Sequence, residues 1–209
     1  MRKTLLVVAA FACACSNEDE AVAFAQSDAH IIRGDELPGD PRQSWGEAFE
    51  HYDDLEWTPQ VKTPGGRNQP QNSEKAAAVD SRGPQIVWLP VHWDNLSDET
   101  RARMAWHELT HIHQQRELGR RTMARRLSRH AYWRIAAEVP ASAQSIEVYA
   151  RYGATEAELR EQADKAVEKY PGRIDLDRLD DADSWYELAS DILHERVDTI
   201  MLDREATAD

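Results

Sequence analysis

Five residues carry the strongest chemical signal in the chain: His107, Glu108, Leu109, Thr110 and His111. Set on a helix at ~100° per residue, His107 and His111 fall about 40° apart, one turn above the other. Two imidazoles so placed can share one metal ion. Glu108 falls about 100° from His107, beside the pair and not on it. Neutral imidazole nitrogen suits zinc. Zinc lowers the pKa of a bound water toward ~7, and a flanking carboxylate can take that proton and pass it to a leaving amine. Ala102, Ala105, Leu109 and Ile112 cluster on the opposite side of the same helix, so one face can pack on a core while the other opens to a cleft. The expected chemistry is zinc-assisted hydrolysis, with His107 and His111 as ligands and Glu108 as general base.

Other histidines fit the ion less well. His113 points ~200° away from His111 on a continuous helix and is excluded. His130 lies in an arginine-rich stretch and reads as a surface or supporting residue. His194 and Asp198 share a helix face and read as an exposed ion pair.

His107-Glu108-Leu109-Thr110-His111 after a strand at 85–91 resembles the zincin metallopeptidases. In that group the motif helix supplies two ligands and the base, and a later residue supplies the third. The extended form, with Gly and His after the motif, is absent: Gln114 and Glu117 stand there. The Gly-Thr-x-Asp pattern is absent as well. The resemblance therefore implies a gluzincin-like layout with a glutamate on a downstream helix as third ligand. It covers roughly residues 85–152.

Glu138 and Glu147 are the candidates for that ligand. Nine residues apart on one helix, they point about 180° from each other, so only one can face the ion. Glu147 lies with Gln144 and Arg151, which read as a solvent face. Glu138 shares a polar face with Ser142, Ser145 and Tyr149, beside the apolar line Val139, Ala143, Ile146 and Ala150. Glu138 is preferred and Glu147 stays open. Pro140 suits a first helical turn, which would put Glu138 at the edge of regular helix. Tyr149 is a candidate hydrogen-bond donor to an oxyanion; the competing reading is a tyrosine at the edge of the core.

These residues need elements to hold them. The chain has 209 residues, 41% hydrophobic and 30% charged, with formal net charge −13. That is enough apolar material for a core, and the acidity argues against general nucleic-acid binding, which needs a Lys/Arg excess. The exception is Arg116 to Arg134, with seven Arg and no acid after Glu117, read as a solvated helix face with a headgroup or substrate contact as the lesser reading.

The N-terminus reads as a targeting segment. Arg2 and Lys3 precede a short apolar run, Leu5 to Ala12, too short to span a bilayer. Ala12-Cys13-Ala14-Cys15-Ser16 resembles a bacterial lipoprotein signal. This implies a signal peptide over 1–14, lipidation at Cys15 (Cys13 the alternative), and an exported protein anchored to the envelope. Ordinary cleavage after Ala23-Phe24-Ala25 is the competing site.

Residues 15–43 are polar, with Gly34, Pro38, Gly39 and Pro41, and read as a flexible tether. Residues 44–209 read as the catalytic domain. Ser44-Trp45-Gly46-Glu47 is a capping box for a short helix to Leu55, and 58–73 read as a loop. Ala76–Val79 and Gln85–Val91 read as two strands, with Pro90 confining the second to an edge or a strand end. That strand around Trp88 would offer an extended peptide an edge to pair with. Asp94 to Ser97 offer several N-caps for a helix to about Leu118 with Gly119 as stop; further helices are expected over 120–137 and 138–152, from Thr155 to Tyr170, and from Asp183 or Ser184 to about Arg204.

The fold expected is α+β and mainly helical: a zincin-like domain with a small sheet or hairpin before the motif helix and several C-terminal helices. The function expected is a zinc metallopeptidase acting on a peptide or protein substrate. A non-catalytic envelope binding module on the same scaffold and a cell-wall peptide hydrolase are the alternatives.

Overall fold

The computed structural model describes residues 17–31, 54–59, 78–79, 86–90, 92–170 and 181–208. They are mainly helical: α1 (Asn17–Ala25), α2 (Asp98–Leu118), α3 (Arg120–Arg129), α4 (Ala131–Arg151), α5 (Glu156–Glu168) and α6 (Ala182–Ala208). Three short strands precede α2: β1 (Glu56–Pro59), β2 (Ala78–Val79) and β3 (Ile86–Leu89). The order is β1-β3-β2, with β1 parallel and β2 antiparallel to β3.

The motif helix starts and stops where local chemistry requires. Ser97 caps it, its side chain accepting from the Thr100 N–H at 3.2 Å, which satisfies one orphan donor of the first turn. Gly119 ends it with φ at 78°, a left-handed value that glycine adopts without a Cβ clash. The apolar face then packs as its spacing demands: Ala102, Ala105 and Leu109 are fully buried with Leu89 and Trp93, and Ile112 is buried against Val87.

The other face of α2 lies against α4, and the two helices run antiparallel. Helix α4 is the centre of the molecule. Trp133, Ile135, Ala136, Val139 and Ile146 are buried, in one cluster with residues of α1, α5 and α6. A helix buried on so many sides needs small residues where neighbours approach, and Ala136, Ala137, Ala141 and Ala143 supply them.

Several expectations are corrected. The tether is not one over its described part: Asn17–Ala25 is a helix with Ala21, Phe24 and Ala25 buried in the core, Phe24 edge-on to Trp133 at 5.3 Å. Three acidic residues at its start, Glu18 to Glu20, hide the apolar run Ala21 to Ala25 behind a polar average. The strand around Trp88 is not an edge, because β3 is paired on both sides; its neighbour β1 runs into the stretch where a loop is expected. Pro90 follows the last residue of the strand, so its missing N–H costs the ladder nothing. The break between α3 and α4 falls at His130, whose backbone is extended (φ −132°, ψ 119°), and not near 137. Pro140 therefore sits inside α4, not in a first turn. The capping box at 44–47, Cys13 and Cys15 lie outside the described residues.

Candidate metal centre

Antiparallel packing of α2 on α4 makes residues late in one helix meet residues early in the other. Glu138 thereby comes opposite the two motif histidines. Its Oε2 is 3.5 Å from His107 Nε2 and its Oε1 is 3.7 Å from His111 Nε2. The imidazole rings stand edge to face, centroids 4.9 Å apart. One ligand atom from each of the three residues lies within 4.8 Å of the others, a group that could hold a metal ion.

The distances discriminate between two uses of these side chains. At 3.5 and 3.7 Å the nitrogens and oxygens are too far apart for good hydrogen bonds. Donors held about 2.0–2.1 Å from one tetrahedral ion lie ~3.4 Å from each other. The two spacings, to different oxygens of one carboxylate, are closer to those of donors around a shared cation than to those of direct pairing. Side-chain exposure is 16%, 17% and 21% for His107, His111 and Glu138, so the group is largely desolvated yet open to a small ligand.

Both Nδ1 atoms are engaged elsewhere. His107 Nδ1 lies 3.3 Å from Ser145 Oγ. That hydroxyl can donate its one proton to the Ala141 carbonyl at 3.1 Å, which leaves a lone pair for a His107 N–H. His111 Nδ1 lies 3.1 Å from Gln114 Oε1. Contacts of this kind orient ligating imidazoles and set which nitrogen is left to bind.

Glu108 follows His107 on α2 and is buried, 7% exposed. Thr110 is buried as well and donates to the Trp106 carbonyl at 2.9 Å, inside its own helix.

The remaining candidates lie away from the group. Glu147 faces the other way, with its carboxylate against the Arg196 guanidinium of α6 and Gln144 Nε2 at 3.2 Å. Gln144 is fully buried, so the expected solvent face is covered by α6. Burial pushes the Glu147 carboxyl up, against the opposing pull of Arg196. Tyr149 shares the Glu138 face in angle but sits three turns on, about 16 Å along the axis. There the Arg103 guanidinium lies over its ring, 4.7 Å from the centroid, and burial raises its phenol. The structure does not bring Tyr149 to the group, and the core-edge reading holds. Ser142 meets the Tyr170 hydroxyl at 3.3 Å.

His113 turns away to the Ala29 carbonyl at 3.1 Å, as its angle on the helix requires. His130 stacks on Tyr132, centroids 5.1 Å apart. His194 and Asp198 do not pair with each other: they reach across to Asp164 and Arg160 of α5. Of the basic stretch, Arg126 meets Glu20 of α1 at 2.7 Å and covers the Trp133 ring, while Arg121, Arg125 and Arg129 are exposed.

Sequence reasoning missed Gln114, treating it only as the residue standing where an extended motif would have glycine. The available signal was its place three residues after His111, on the same helical face.

No family model matches the chain, and neither a curated protein nor a solved structure matches it.

Proposed function

We propose that His107, His111 and Glu138 hold a zinc ion and that the chain is a zinc-dependent hydrolase, a metallopeptidase of gluzincin-like layout. The observation that carries this reading is the convergence of two imidazoles and a carboxylate from two antiparallel helices, one ligand atom of each within 4.8 Å of the others. Two nitrogens and one oxygen are a donor set suited to catalytic zinc, which keeps a fourth position open. A zinc ion held there would supply Lewis acidity, acidifying water and polarising a carbonyl.

The chain's own residues supply the rest. His107 and His111 bind through Nε2, and Glu138 offsets part of the ion's charge. Glu108, one residue after the first ligand, is the general base that takes a proton from the attacking water and returns it to the leaving amine. Its burial raises the strength of every electrostatic contact it makes. The substrate class proposed is a peptide or protein.

Residues Arg2 to Ser16 support export with a lipid anchor at Cys15. Helix α1 begins at Asn17, two residues later, so the anchor would hold the domain against the envelope membrane rather than at the end of a long tether. No helix among the described residues is long and apolar enough to cross a membrane.

Elemental analysis of the purified chain tests the reading, together with Glu108→Gln. The expected result is one zinc per chain, kept by the variant, and hydrolysis of an unfolded protein or of peptidoglycan fragments that the variant loses. Preference for the peptidoglycan fragments would move the assignment to a cell-wall peptide hydrolase. A chain that neither contains zinc nor rebinds it at neutral pH overturns the metal centre. A zinc-loaded chain that cleaves neither substrate would be the binding module instead.

A further inference from the structure

We propose that Gln114 is a positioning residue that sets the tautomer of His111, by reading a backbone carbonyl of the facing helix. The consequence for zinc rests on the metal centre proposed above; the tautomer itself does not.

Gln114 is fully buried on α2. Its amide spans the gap between His111 and α4: Nε2 is 3.0 Å from the Ala137 carbonyl and Oε1 is 3.1 Å from His111 Nδ1. A backbone carbonyl only accepts, so the amide must turn its NH2 toward Ala137. The reverse orientation would set two oxygens face to face at hydrogen-bond distance inside the core. With the NH2 committed, the amide oxygen is what His111 meets. An oxygen acceptor there requires a proton on Nδ1. In the neutral ring the lone pair then belongs to Nε2, the nitrogen that faces Glu138. At 3.7 Å Glu138 is too far from that nitrogen to hold a competing proton on it by hydrogen bonding.

The carbonyl can take this bond beside its own helical one, because a backbone oxygen has two lone pairs. Ala136 and Ala137 have no bulk to block the approach of a glutamine side chain.

The test is a long-range proton–nitrogen NMR spectrum of the metal-free full chain, recorded above the ordinary histidine pKa of ~6.5. His111 is expected as the Nδ1–H tautomer. Gln114→Leu keeps the volume and removes both bonds; its His111 should become a mixture of tautomers and its zinc affinity should fall about ten- to a hundredfold. Gln114→Glu keeps an oxygen against Nδ1 and should restore the Nδ1–H tautomer, whatever it does to stability. An Nε2–H tautomer in the parent overturns the proposal. So does a folded Gln114→Leu protein with an unchanged tautomer, or a Gln114→Glu protein whose tautomers mix as in the leucine variant. If the leucine variant does not fold, the parent spectrum and the glutamate variant decide. A parent with the Nδ1–H tautomer that binds no zinc would sink the metal centre and leave this inference standing.

Discussion

Ser145 Oγ lies 3.3 Å from His107 Nδ1, and the two residues belong to helices that run in opposite directions. The same hydroxyl is 3.3 Å from the Arg103 carbonyl and 3.1 Å from that of Ala141, so it stands where α2 and α4 touch. Removing it takes away the hydroxyl that His107 Nδ1 meets. Ser145→Ala should bind zinc about tenfold more weakly, the lower end of what such supporting contacts carry. Competition with a chelating dye checks this, and an unchanged dissociation constant would remove Ser145 from the site.

Glu138 and Glu147 are separable by metal content. Glu138→Ala should not bind zinc, because one of the three proposed ligands is gone. Glu147→Ala should keep it, since its carboxylate is turned to Arg196 on α6. The opposite pattern in an elemental analysis would reassign the third ligand.

Glu147→Ala should cost stability instead. It leaves the Arg196 guanidinium, 21% exposed, without its main partner. Fully buried pairs broken this way lose roughly 3–5 kcal/mol; partial access to water should bring the loss to about 2–3 kcal/mol. Urea unfolding at neutral pH measures it.

The same residue gives a pH dependence of defined sign. Burial raises the folded-state pKa of Glu147 above its ordinary value. The folded chain therefore holds this proton more tightly than the unfolded chain does. Its contribution to stability is greatest below the ordinary glutamate value of ~4.3 and falls as pH rises through the raised value. In Glu147→Gln that decline should vanish from the stability profile above pH ~4.3, measured against the parent. An identical slope in both proteins would mean that Glu147 titrates normally.

Phe24 tests whether the first helix belongs to the fold. It is 5% exposed and edge-on to the fully buried Trp133. Phe24→Ala should destabilise by about 3–5 kcal/mol, the usual cost of emptying an aromatic core position. A chain beginning after Ala25 should be less stable still. If both unfold at the parent's urea midpoint, α1 contributes nothing to the core.

What the sequence determines here is local. The motif helix, a cap among Asp94 to Ser97, its glycine stop, its apolar face and the one-turn stacking of His107 on His111 follow from periodicity and from residues within a few positions of each other. Exclusion of His113 is of the same kind. The angular opposition of Glu138 and Glu147 is also legible, because both sit on one helix.

Tertiary structure decides what angle alone cannot. Helical periodicity gives direction around an axis but not height along it, so it groups Tyr149 with Glu138 although three turns separate them. It also cannot say what covers a face. The side of α4 carrying Gln144 and Glu147 looks solvated in sequence and is closed by α6, which returns to it from 35 or more residues away. The acidic start of α1 masks the apolar residues it sends into the core. The candidate site depends on the same kind of information: two histidines come from the motif, but Glu138 and the Ala137 carbonyl meet His111 and Gln114 only because Gly119 and His130 turn the chain back and set α4 antiparallel on α2.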